Sequence, residues 1–215
     1  ITDYLRLDQD LLLRFADYEE MDDYGEIACL TGNSEVATLG LGVDGVKYET
    51  VATLLRLRQE DPARKTFTLA VDVAGKRIVP VEIRGPVLSG RQAPVFKVTY
   101  EEYRANPGQP KKQWSVRATA NHPFMLRDGT YRTVARLTEG DRLMAAGVTH
   151  SAQGYAQVRD PFQTRAGGRP VYHNIHSLVA VYCLNGGECL SPDHVVHHLD
   201  ENKLNNDPTN LRVVL

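Results

Sequence analysis

Long apolar runs are missing from this 215-residue chain, as are paired cysteines and any strong excess of charge. No stretch approaches the roughly 18 apolar residues of a membrane-crossing helix, and none has the make-up of a signal peptide. No membrane partner is therefore expected. The three cysteines, Cys29, Cys183 and Cys189, form an odd set without a tight framework. That argues against a secreted disulfide scaffold and for a reducing, cytoplasmic setting. The net charge is only −2, which excludes a strongly basic or acidic protein. It conceals an asymmetry, however: residues 1–28 hold nine acids and two bases, leaving 23 Lys/Arg against 18 Asp/Glu in the rest. That surplus of positive charge gives mild support for a nucleic-acid partner.

What is present divides into unequal pieces. Residues 1–24 place Tyr4, Leu5, Leu11, Leu12, Phe15 and Tyr18 at helical spacing with acids between them, predicting a short amphipathic helix. It reads as helix from Ile1, without a capping residue before it, so both ends are expected to have been cut from something longer. From Cys29 to about Thr149 the texture changes to short alternating runs (ETVATLLRL, FTLAVDV, RIVPVEI, PVFKVTY, QWSVRATA) divided by Gly and Pro clusters. This predicts an all-β domain. Residues 150–170 lose the periodicity and are expected to be a linker or excursion loop. In YHNIHSLVAVYCLNG, Ile175, Leu178, Val179 and Tyr182 share a helical face, and His173 and His176 open the helix. The expected segments are thus 1–28, 29–149, 150–170 and 171–215.

Two constellations carry chemistry. In TANHPFMLRDGTYRTVARLTEGDRL, Thr119 and His122 lie three apart at a strand end, with a hairpin around Asp128-Gly129 and a turn at Glu139-Gly140-Asp141 after them. Alone, T-x-x-H is compatible with a satisfied, partly buried histidine. Taken in order, ACLTGNSEV, PVFKVTY, TANHPFMLRDG and LTEGDRL resemble the opening half of an intein (Hint) domain over residues 29 to about 145. The resemblance implies a horseshoe-like, mainly β fold in which Cys29 attacks the carbonyl of Ala28 to make a thioester. His122 would protonate the departing nitrogen, and Thr119 would bind the scissile carbonyl or orient that histidine. A thiol suits this attack because it ionises nearest neutral pH, and His titrates in the same region. The plainer reading of Cys29 is a small buried hydrophobe. Gly32-Asn33-Ser34 stands where Gly-Asp-Thr is common in inteins. The stretch RFADYEEMDDYGEIA also resembles a segment of phage portal proteins, with Gly25 in place of the more usual proline.

The second constellation is VVHHLDENKLNNDPTNLRVV. It resembles the HNH nuclease motif, a ββα-metal unit, and IHSLVAVYC matches the H-x-LVA helix that often precedes it. The resemblance implies that His197 holds a divalent metal (Mg or Mn), that His198 is the general base acting on double-stranded DNA, and that Asn210 orients it. Asn202, Asn205, Asn206 and Asp207 supply turn preferences for the loop. Because neighbours on a strand face opposite ways, a distorted strand end is needed to bring both histidines to one phosphate. A polar hairpin with surface histidines is the plainer alternative. A zinc site from Cys183, Cys189, His194 and His197 is another, though C-x5-C is wider than structural zinc prefers.

Three readings compete. In the first, an intein with an inserted HNH homing endonuclease interrupts a phage portal-like host protein. Its partners would be the homing-site DNA, the remaining intein and extein segment and, through the host protein, a portal oligomer in the virion. In the second, a Hint-processed toxin releases an HNH effector, and the third is a non-enzymatic portal fragment. Because the family's third catalytic His or Asn falls after Leu215, the chain as given is expected to bind DNA weakly and leave it uncut. Residues 171–215 support the first part, with only Lys203 and Arg212 against five acids.

Overall fold

The computed structural model describes residues 30–40, 46–83, 95–101, 113–144 and 147–215. The helix expected over 1–24, Ala28 and Cys29 lie outside the described residues. The mainly β expectation is met: thirteen strands stand against two α-helices among the described residues.

Strands β1 (Glu35–Leu39) and β2 (Val46–Thr50) pair antiparallel. Thr50 closes β2 and caps helix α1 (Val51–Glu60), its Oγ1 accepting a hydrogen bond from the Thr53 amide at 3.1 Å. The stretch ETVATLLRL, expected as a strand, is therefore mostly helix. A threonine that satisfies an orphan amide at a helix start favours that outcome. Burial completes it, because Leu54 meets Val36 and Ile83 in a small core of its own.

The next runs pair as their alternation predicts. Strands β3 (Phe67–Asp72) and β4 (Arg77–Glu82) make one hairpin, and β5 (Phe96–Glu101) and β6 (Gln113–Ala118) pair as a second ribbon. Strands β7 (Pro123–Met125) and β8 (Tyr131–Thr133) close around Asp128-Gly129, where Gly129 takes the left-handed φ of 86°. The Glu139–Asp141 turn is fastened by Asp141, which accepts from the Thr138 amide at 2.7 Å and pairs with Arg132.

Residues 150–170 are not a linker. They contain β10 (Ala156–Arg165), which lies between β9 (Val148–His150) and β11 (Arg169–Asn174) in a three-stranded antiparallel sheet. Ala156, Val158 and Asp160 alternate inward along β10. Helix α2 (Ile175–Val179) comes next and runs into a π-helical turn, Ala180–Leu184. Strands β12 (Val195–His198) and β13 (Leu211–Val214) form the last hairpin.

One core joins the two ends of the described chain. Leu39, Leu69 and Ile78 from the first ribbons pack with Val158 of β10, Ile175 and Val179 of α2, and Leu211 of β13. A cation–π contact adds to this join, with the Arg77 guanidinium 5.5 Å from the Tyr182 ring centre. A second core of Val116, Ala118, Phe124 and Val134 sits under β5–β8.

Candidate functional site

The β12–β13 hairpin sets His197 opposite Arg212 and His198 opposite Leu211 in a regular ladder. The two histidines consequently face opposite ways: His197 is exposed, while His198 is 5% exposed and points into the fold. The distortion expected to bring both to one phosphate is absent from this strand end.

His198 is held by three side chains. Its Nε2 lies 3.3 Å from Oδ1 of the fully buried Asn206. The His176 ring meets it edge-on with centroids 5.4 Å apart, and Tyr155 flanks both rings at 4.8 and 6.1 Å. Asn206 Oδ1 can only accept, so a hydrogen bond at this contact requires a proton on Nε2. Burial, and then the neighbouring His198, push the His176 imidazole down to about 4. The Nδ1 of His176 is buried without a hydrogen-bond partner among the described residues.

Asn210, expected to orient the base, bonds to the loop between β12 and β13. Its Nδ2 donates to Asp200 Oδ1 at 2.8 Å and to the Asn205 carbonyl at 2.9 Å, and its Oδ1 accepts from the Asp200 amide at 3.1 Å. Asp200 is the hub of the loop. Hydrogen bonds from the Asn205 side chain, the Asn202 amide and Asn210 hold its carboxyl below the usual carboxylate range. The loop therefore leaves β12 in one fixed path, and that path delivers Asn206 to His198. Lys203 anchors it from outside, donating to the Gln153 carbonyl at 3.0 Å with its ammonium 4.7 Å from the Tyr155 ring centre.

Sequence patterns do not mark Tyr155, Asn206 or Asp200 for this site, and they show His176 only as a helix opener. The H-x-LVA spacing holds the signal for His176, because it sets that residue one turn before the buried Val179 and Ala180. Nothing local marks Tyr155, which reaches the site only through the fold.

No group of three His, Cys, Asp or Glu placed to hold a metal ion occurs among the described residues. The zinc alternative is therefore not assembled. Cys183, moreover, is pushed up to about 11 by burial and then by Asp207, the reverse of what a thiolate ligand needs. His197 is the one exposed imidazole at the hairpin end proposed for a metal. Alone it does not make a cage for Mg²⁺ or Mn²⁺, which favour several oxygen ligands.

The first constellation lies elsewhere. Thr119 and His122 are 8% and 2% exposed, and they close a turn in which the His122 amide donates to the Thr119 carbonyl at 3.1 Å. Thr119 Oγ1 donates to Asn121 Oδ1 at 2.7 Å, and the His122 ring meets Phe124 edge-on at 5.6 Å. Leu30 bridges to Ala118, and the Thr31 amide donates to the Arg117 carbonyl at 3.2 Å. The chain next to Cys29 thus enters beside the strand end that carries Thr119.

Comparison with protein families matches the HNH endonuclease family over residues 179–214. The match covers the π-helical turn, β12, the asparagine loop and β13, and an HNH endonuclease domain is found there. HNH nucleases typically use a divalent metal and act on DNA. No curated protein matches the chain.

Proposed function

We propose that this chain carries a DNA endonuclease with His198 as the general base and His197 as the metal ligand, a pairing that requires the end of β12 to leave, on DNA binding, the regular ladder in which the two rings face opposite ways. The observation that carries the reading is the HNH match on a hairpin ending in the paired histidines, with Asn210 fastening the loop between its strands. A neutral imidazole takes a proton from water, and loss of such a transfer typically lowers the rate by roughly 10²–10⁴-fold. Asn206 and the two flanking rings hold that imidazole in place. The described residues do not by themselves complete a metal cage.

The test is nicking of supercoiled plasmid by the chain in Mg²⁺ and in Mn²⁺. Open circles that disappear in His198→Ala and diminish in His197→Ala support the reading. A folded chain that leaves the plasmid intact in both metals overturns the reading. Nicking unchanged by His198→Ala assigns the base elsewhere.

A second reading, Hint-type acyl shift at Ala28–Cys29, is favoured by the bridge of Leu30 to Ala118. That pairing sets the backbone one residue from Cys29 against the strand leading to Thr119 and His122, as a horseshoe-like splicing domain requires. Excess dithiothreitol should release an acidic peptide ending at Ala28. Cys29→Ala should abolish the release and His122→Ala should slow it by roughly 10²–10⁴-fold. A folded protein inert to thiol removes this reading.

A further inference from the structure

The matched HNH stretch poses an electrostatic problem. Residues 171–215 carry Lys203 and Arg212 against five acids, a balance that repels a polyanion. A nuclease built on this hairpin needs its phosphate contacts from another part of the fold.

The sheet beside it supplies them. Beyond a bulge just after Arg159, β10 and β11 continue as a two-stranded arm with Thr164 opposite Pro170 and Arg165 opposite Arg169. Gln163 through Arg169 are all exposed. The tip turns through Gly167 and Gly168, both at left-handed φ (79° and 74°), where a side chain would be strained. Directly opposed residues of an antiparallel pair project from the same face, and like charges there destabilise the ribbon. Two arginines occupy that position, and among the described residues neither guanidinium has a carboxylate partner. The exposed tip thus presents two positive charges on one face of the ribbon.

The arm is also aimed. Asp160, 2% exposed, accepts from the amides of Phe162 and Gln163 at 2.8 and 3.1 Å and pairs with His173 at 2.9 Å. These bonds fix the bulge, and bulges bend a strand and re-aim the residues beyond them. The root of the same strand adjoins the nuclease site: Tyr155, just before β10, lies against His176 and His198, and Val158 packs in one core with Leu211. The ten residues of β10 span at most roughly 30 Å. On B-form DNA that is about nine base pairs at roughly 3.4 Å each.

We propose that this arm is a duplex-DNA docking surface, with Arg165 and Arg169 contacting phosphates on the same duplex that the HNH hairpin cuts. The proposal rests on the nuclease reading and adds where the substrate is held. Duplex DNA fits better than a membrane because a narrow ribbon with two charges at its tip suits a groove, and it offers no apolar face for a bilayer.

The experiment compares the chain with R165A/R169A and R165K/R169K, measuring fluorescence anisotropy of a labelled duplex across a salt series. Two lost phosphate contacts should lower the slope of log affinity against log salt by about 2, and the affinity roughly 30-fold at about 0.15 M salt. The lysine pair should keep most of the slope. Both side chains are exposed, so circular dichroism should show an unchanged fold. Identical affinity and slope for wild type and R165A/R169A overturns the arm and leaves the nuclease reading standing. A folded wild type that binds no duplex at low salt overturns both. Tighter binding to phosphatidylserine vesicles than to duplex overturns the choice of partner.

Discussion

Replacing His176 with phenylalanine should change how stability depends on pH. The wild-type imidazole is held at about 4 against an ordinary 6.5, first by burial and then by His198. Between those values the unfolded chain takes up a proton that the folded chain refuses. The group's share of stability is therefore complete above about pH 6.5 and is lost as pH falls to about 4. A displacement of this size corresponds to about 3 kcal/mol at most, using about 1.36 kcal/mol per pH unit. Phenylalanine keeps a ring against Tyr155 and His198 and has no nitrogen to titrate. It also removes the buried Nδ1 that lacks a partner, so little is lost at neutral pH and the variant can match the wild type there. Urea unfolding monitored by circular dichroism at half-unit intervals from about pH 7.5 to 4 gives both curves. The difference in unfolding free energy should grow towards acid in the variant's favour, by about 3 kcal/mol across the window. The carboxylates shared by both proteins cancel in that difference. Parallel curves would show that the His176 ring is reached by water or by a compensating anion, and the packed-ring account of His198 would fail with it.

Other perturbations probe the supports around the site. Leu211→Ala should cost roughly 2–5 kcal/mol and lower one cooperative transition in calorimetry, because Leu211 shares a core with Leu69 and Ile78; a separate, unshifted β-domain transition would contradict the shared core. Asp160→Ala removes the acceptor of two backbone amides and the partner of His173. It should cost roughly 2–3 kcal/mol in urea unfolding and weaken duplex binding although both tip arginines remain. Asn206→Ala should leave β12–β13 paired by hydrogen exchange yet lower plasmid nicking, since it frees the His198 ring without touching the ladder; unchanged nicking would make Asn206 a packing residue only.

The hairpins are legible in the sequence because valine-rich alternation, divided by Gly and Pro, describes a surface buried on one side, and β3–β6 fall on those runs. Helix α1 is not, because ETVATLLRL satisfies both periods over so short a length, and Thr50 decides it by capping Thr53. Strand β10 is hidden for a different reason. Its inward positions are Ala156, Val158 and Asp160, small or charged, so hydrophobic alternation is faint where burial is nearly total. The same blindness affects the site. Paired histidines, the N-L pair and H-x-LVA stand out in the sequence, but Tyr155 and Asn206 acquire meaning only where the fold brings them to His198.

The concealment of β10 and of Tyr155 has one cause, and it bears on where the nuclease unit begins. A hairpin as short as β12–β13 does not stabilise itself in water; two-stranded ribbons need a third strand or a covering layer. Here α2 and β10 supply the layer. Ile175, Val179 and Leu211 close over Val158 and Ala156, and the loop Asp200–Asn206 is tied to Gln153 and Tyr155 through Lys203. The family match begins at residue 179, yet the side chains that fix His198 begin at Tyr155. A cut placed between 165 and 171 would divide Tyr155 from His176 and Val158 from Leu211, leaving His198 without its ring partners and the hairpin without its floor. By this packing, the stretch that looks like a connector in the sequence forms the base of the site, on the same core as Leu39, Leu69 and Ile78.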